Sequence, residues 1–231
     1  MVMPTFNEER YIKQTLESLA LQSHPAFELI IKDGTSTDNT VDIAREYADK
    51  IVSSKDASIG DARNQGAKHA KGEVIVFLDA DTSLDKNALE YINEDFTHHK
   101  IALLLPKYGP RAEEAKTVSR TKRDISRFLI GFENYWRMHV DEFCGGMCMP
   151  VDTVTFKEVG GFDKRIKCCE DIEISYRLRK AGNTFSDYRV KAYFSIRRFI
   201  LSGYVKTLRN YGLNALRMQL HLLQPEFQTF R

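Results

Sequence analysis

The sequence predicts an α/β fold, a mostly parallel central sheet flanked by helices, in a single domain of 231 residues. Three observations predict it. Up to Leu78, short apolar runs alternate with stretches whose apolar residues recur at helical spacing, and this β-α-β-α-β-α-β order favours parallel strands with right-handed crossovers. Val74, Ile75, Val76, Phe77 and Leu78 are five apolar residues in a row, β-branched and aromatic, as in a strand buried on both faces. Each run gives way to small polar or acidic residues, at the sheet edge where open α/β folds bind ligands.

Composition bounds the function. With 42% apolar and 29% charged residues the chain is an ordinary globular protein. A net charge of +2 speaks against a dedicated nucleic-acid binder. No apolar run is long enough for a bilayer and no signal-peptide pattern occurs, so a cytoplasmic protein is expected. The four cysteines, Cys144, Cys148, Cys168 and Cys169, do not form a C-x-x-C knuckle and read as buried thiols.

In order along the chain, a short strand leads to Pro4 and Thr5. Asn7 is expected to cap a helix, with Glu8 and Glu9 at its positive end and Ile12, Leu16 and Leu19 on its apolar face. Phe27–Ile31 reads as the second strand, ending in Asp33 and a polar loop in which Thr37 or Asp38 caps the next helix. Ile51–Ser53 is the third. Ile59–Ala70 reads as a helix whose small residues permit close packing. Its Arg63 is either a solvated helix residue or within reach of a phosphate. The fourth strand ends in Asp79-Ala80-Asp81. Two carboxylates there either cap and solvate a turn or hold Mg²⁺ or Mn²⁺ bearing a diphosphate, since hard cations take oxygen ligands. The first strand carries no G-x-G-x-x-G and no phosphate-loop motif, which disfavours dinucleotide oxidoreductases and P-loop hydrolases.

Ile101–Pro106 is expected to be a further strand. Lys107–Arg127 is charge-rich and reads mainly as solvated helix surface, while Phe128–Val140, with the single tryptophan Trp136, reads as core packing or as an aromatic platform for an acceptor. Phe143–Pro150 is expected to be a glycine-bearing strand and Val151–Val159 a short helix. Glu170 and Asp171 open a helix that Gly182 ends. A final helix over Ser202–Leu223, apolar on one face with basic flanks, either packs on the domain or lies at the inner face of a membrane.

PTFNEERYIKQTLESL, IIKDGTSTDNT, GDARNQGAKHAKGEVIVFLDADT, GGFDKR and CCEDIEISYRLRKAG, in this order up to Gly182, resemble the successive blocks of a family 2 glycosyltransferase of the GT-A type. The resemblance implies a Rossmann-like nucleotide-binding half over residues 1–106, an acceptor half over 107–199 and a helical tail over 200–231. It also implies a UDP- or GDP-sugar donor, Mg²⁺ or Mn²⁺, a glycan or lipid-linked acceptor, and inversion. By the same resemblance Pro4, Thr5, Asn7 and Glu8 line the base and ribose pocket and Asp33 holds the base. Arg63 and Asn64 then lie beside the donor, Asp79 binds the nucleoside side and, with Asp81, the metal. Asp171 is the general base and Glu170 its helper. Several relatives place a histidine after the acidic helix as a metal ligand. This chain has none there, and Arg197 and Arg198 are expected to meet the leaving diphosphate instead. The competing readings are a nucleotidyltransferase and a silent nucleotide-binding module of the same fold.

Overall fold

The computed structural model describes residues 1–24, 26–117 and 119–197. The expected helix over 202–223 and Arg198 lie outside the described residues. The first half is the alternation read from the sequence: β1 (Val2–Thr5), α1 (Ile12–Ala20), β2 (Ile30–Asp33), α2 (Thr40–Ala44), β3 (Lys50–Ser53), α3 (Ile59–Ala67) and β4 (Val74–Leu78). Then come β5 (Thr82–Leu84), α4 (Ala88–His98), β6 (Ile101–Pro110), α5 (Ala112–Thr117), α6 (Arg120–His139), β7 (Cys148–Asp152), α7 (Thr153–Glu158), α8 (Glu170–Ala181) and β8 (Asn183–Phe194). The strands form one sheet in the order β3-β2-β1-β4-β7-β6-β8-β5. The pairs among β3, β2, β1 and β4 are parallel, as is β6 with β8, and β7 and β5 join antiparallel.

Side chains alternate across a strand, so each apolar run feeds two cores. Met3, Ile31, Val76, Leu78 and Leu104 face one layer with Ile12, Leu16 and Leu19 of α1. Val2, Ile30, Ile75, Phe77, Leu103 and Leu105 face the other, with Phe156 of α7, Phe162, and Ile174 and Leu178 of α8. Close approach of α3 to the sheet depends on Gly66, where an added Cβ would lie 2.4 Å from a Val2 methyl. All four cysteines are buried and free. Among the described residues no helix is long and apolar enough to cross a membrane.

Several boundaries move from their expected places. The second strand starts at Ile30 rather than Phe27 and runs to Asp33. The strand expected over Ile101–Pro106 continues to Pro110, because it pairs with β8 beyond an irregularity where Pro106 faces Asp187 and Lys107 faces Lys191. Residues 143–147 are not strand. The strand starts at Cys148 and runs to Asp152, whose carboxylate accepts the Thr155 N–H at 2.7 Å and so fixes the start of α7. Asn7 caps no helix: it sits at φ 54°, and α1 begins only at Ile12.

Candidate active site

The carboxyl end of β4 brings Asp79 and Asp81 to the sheet edge. The next helix starts only at Ala88, so neither caps it. Each carboxylate meets an arginine instead. Asp79 Oδ1 accepts from Arg63 Nη2 at 2.8 Å, and Asp81 Oδ2 lies 3.1 Å from Arg197 Nη2.

Arg63 is not the solvated helix residue of one of its two expected readings, being 1% exposed. Its guanidinium also donates to Glu170 Oε1 at 2.7 Å and to the Gly146 carbonyl at 3.0 Å. One side chain from α3 thereby joins the end of β4, the loop before β7 and the start of α8. The two acids hold the guanidinium strongly protonated against the cost of burial. Gly146 is required by this contact, since a Cβ there would stand 2.5 Å from Arg63 Nη2. Asn64 brackets Phe162, donating to its carbonyl at 2.7 Å and accepting its N–H at 2.9 Å.

Gly146 also reaches Asp171. Its N–H donates to Asp171 Oδ2 at 2.8 Å, and Asp171 Oδ1 accepts the Ile172 N–H at 2.9 Å. Burial pushes the Asp171 carboxyl up, while Arg63 and these N–H groups pull it back. Burial and then the neighbouring Asp171 push Glu170 up, against Arg63. Cys169, in the left-handed region at φ 59°, turns the chain so that both acids stand in the first turn of α8, where the helix dipole favours them.

At the ends of β1 and β2, Pro4 and Thr5 lie opposite Lys32 and Asp33. Asp33 is buried under the loop it shapes, accepting from Thr5 Oγ1 at 3.2 Å and the Ser36 N–H at 3.0 Å. Asn7 Oδ1 accepts the Thr37 N–H at 2.9 Å and so ties the two loops together. Glu8 takes both Arg197 Nη atoms at 2.8 Å each, and the guanidinium carbon lies 4.4 Å from the centre of the Tyr11 ring. The expected diphosphate ligand Arg197 is thus held between Glu8 and Asp81.

The sequence reading missed three buried basic residues. Lys32, fully buried, pairs with Asp56 at 2.7 Å beneath the second loop. Arg111, read as solvated, is 2% exposed: it donates to Gln14 Oε1 at 2.9 Å and to Thr15, with Asp81 among the charges that stabilise it. Arg137 is fully buried and bonds the Pro106 carbonyl. Their signal in the sequence is slight, because Lys and Arg are rarely buried unless paired. Glu114 of α5 accepts from Ser195 Oγ and the Ile196 N–H at 2.9 and 2.8 Å, and so seats the segment that presents Arg197.

Asp79 and Asp81 offer hard oxygen donors, and each is paired with an arginine that a divalent cation would have to displace or share. Among the described residues no three His, Cys, Asp or Glu converge. One or two carboxylates completed by phosphate oxygens and water is the usual shell for Mg²⁺.

Comparison with known proteins bears on the family and the fold. The profile described as Glycosyl transferase family 2 matches residues 1–159. Poly(ribitol-phosphate) beta-N-acetylglucosaminyltransferase TarS of Staphylococcus aureus is 34% identical over 121 residues, 47% of this chain and 21% of that protein. Its structure with UDP-GlcNAc shares the fold at TM-score 0.65 and 23% identity, covering 84% of this chain and 57% of that one. A dolichyl-linked-sugar glucuronosyltransferase of Methanococcus voltae is 27% identical over 224 residues, 87% of this chain and 68% of that protein. The mannosyltransferase PcManGT of Pyrobaculum calidifontis, solved with GDP-Man and Mn²⁺, has TM-score 0.69 and 18% identity over 84% of this chain and 56% of its own. The chain therefore spans only part of several relatives, about a fifth of TarS. With the profile matching over more than half its length, and the sheet folded as in these enzymes, the chain belongs to glycosyltransferase family 2.

Proposed function

We propose that the chain transfers a sugar from a nucleotide-diphospho-sugar to a hydroxyl of a glycan or lipid-linked acceptor, with inversion at the sugar carbon. The observation that carries the reading is Asp171: a carboxylate held by the Gly146 N–H, raised in basicity by burial, and joined through Gly146 and Arg63 to Asp79. A base raised toward the operating pH suits proton abstraction. As the acceptor oxygen bonds to the sugar carbon, the bond from that carbon to the diphosphate oxygen breaks and the hydroxyl proton passes to Asp171. No covalent glycosyl-enzyme is needed, so one base suffices. Glu170, through Arg63, fixes where Asp79 and the start of α8 stand. Asp81 and Asp79 would hold Mg²⁺ or Mn²⁺, which supplies positive charge to the leaving diphosphate. Arg197 stands beside Asp81 and would turn from that carboxylate to the diphosphate.

Relatives solved with UDP-GlcNAc and with GDP-Man and Mn²⁺ support a UDP- or GDP-sugar as donor. The test is Asp171→Asn, assayed by release of nucleoside diphosphate. Turnover is expected to fall by roughly two to four orders of magnitude while thermal stabilisation by UDP or GDP persists. Undiminished transfer by the variant overturns the role, and release of inorganic diphosphate from the native chain favours a nucleotidyltransferase.

A further inference from the structure

Helix α6 is inverted in polarity. Its inward face carries Ser126, Asn134 and Arg137 beside Ile130 and Met138. Its outward face carries Phe128, Phe132, Tyr135 and Trp136, exposed at 73, 58, 60 and 44%, together with Ile125 at 45% and Val140 just beyond its end at 47%. The expectation of core packing for these aromatic residues is therefore overturned. The reason lies underneath. The Asn134 carboxamide accepts the Tyr108 N–H at 2.9 Å and donates to the Tyr108 carbonyl at 2.8 Å, and Arg137 bonds the Pro106 carbonyl. These contacts satisfy backbone groups of β6 next to its irregularity. Rotating the helix to bury its rings would orphan these backbone groups.

The apolar face also extends beyond the helix. Tyr135 lies 5.2 Å from His139 and His139 stacks at 6.0 Å on Tyr188, itself 44% exposed in the irregular part of β8. A contiguous apolar face of this kind, fixed outward, marks a binding surface. Its chemistry favours one occupant. Arg120 and Arg127, both exposed, lie in the first two turns at the margin of this face, Arg120 with Asp124 at 3.9 Å, while Arg123 falls on the opposite side of the helix. Aromatic and aliphatic groups with a tyrosine and a tryptophan suit the boundary between headgroups and acyl chains, and arginines beside them suit anionic phosphates. A sugar platform would have no use for Ile125 and Val140.

We propose that the outward face of α6 docks on an anionic lipid bilayer. The surface stands apart from the transfer chemistry and does not depend on it. It also differs from the membrane contact expected for residues 202–223. The helix runs directly into the 141–147 loop that holds Asp171, so a docked chain would bring its base close to the lipid surface.

Trp136 is the only tryptophan in the chain and reports on this face directly. The full chain is mixed with vesicles of phosphatidylcholine containing phosphatidylglycerol, or of phosphatidylcholine alone, and followed by flotation and tryptophan emission. With the anionic vesicles the emission is expected to move to the blue and to be quenched by lipids brominated near the headgroup. Affinity should fall roughly tenfold or more on Phe128→Ser, and again on Phe132→Ser, each of which removes a buried ring. Arg120→Gln with Arg127→Gln should remove the preference for anionic lipid. Unchanged urea midpoints confirm that these surface variants fold. Three results overturn the proposal: no binding to either vesicle, flotation without any change at Trp136, or a blue shift that grows with protein concentration in the absence of lipid. The second assigns the contact elsewhere in the chain and the third makes the occupant a second copy.

Discussion

Replacing Arg63 with methionine removes a charge from the point where three elements meet and leaves its acidic partners in place. The magnitude follows from what each partner loses. Asp79 has a side chain 24% exposed and can turn to water. Glu170, 10% exposed and bonded to Arg63 at 2.7 Å, cannot. The Gly146 carbonyl loses a donor at 3.0 Å, worth about 1 kcal/mol. Breaking a buried ion pair from one side costs about 3–5 kcal/mol, and with Asp79 partly relieved by solvent about 3–4 kcal/mol is expected in urea unfolding. The pH dependence separates this cause from lost packing. Glu170 and Asp171 already have folded pKa values raised by burial, and Arg63 is what opposes the rise. A carboxyl raised in the folded state binds more protons there than in the unfolded chain, so it costs stability as pH rises from the unfolded value, about 4, through the folded one. Without Arg63 that window widens upward. The variant should recover part of its loss between pH 8 and pH 5, and adding Glu170→Gln should recover part of it at pH 8. A loss below about 1 kcal/mol, or one equal at both pH values, refutes the reasoning.

Asp81→Ala should abolish Mn²⁺-dependent thermal stabilisation by UDP or GDP, since it removes a hard ligand, and an unchanged Mn²⁺ dependence counts against the site. Asp95 of α4 is raised to about 7 by burial and by Asp187, under the Arg189 guanidinium. Its folded pKa lies above the unfolded value, so native stability should fall between about pH 4 and 7. Asp95→Asn should flatten that slope and gain on the order of 1–3 kcal/mol at pH 8, measured by urea unfolding across pH. Gly66→Ala places a methyl 2.4 Å from Val2 and should cost about 1–3 kcal/mol by forcing α3 off β1, whereas a neutral result would mean that the helix shifts freely.

The first half was legible because its signals are local. The runs that became β1 to β4 alternate with helices at periods the residues themselves declare, and one strand end follows another on a single edge. Asp79, Asp81, Glu170 and Asp171 were legible as acids at element ends. What was hidden depends on partners distant in sequence. Arg63 looks like a surface residue until Glu170, 107 positions away, folds against it. The continuation of β6 to Pro110 depends on β8, and the inverted face of α6 depends on backbone groups that the β6 irregularity leaves for Asn134 and Arg137 to satisfy. Periodicity finds a stripe of aromatic residues but does not say which side of the helix faces the protein.

The Glu8–Arg197 pair has a consequence for how the enzyme is made. Its two residues are 189 positions apart. At synthesis rates of about 5–20 residues per second, Glu8 is made on the order of 10–40 s before Arg197 exists. During that interval β1 to β4 can assemble on their own local contacts, with Glu8 and Asp81 lacking the arginine that the finished fold places between them. The nascent half is thus a scaffold whose charge balance is completed only by the segment that follows the last described strand. A ribosome stalled before Ser195 should therefore display a folded but electrostatically unfinished site, open to free cations in solution that the complete chain meets only in competition with its own guanidinium.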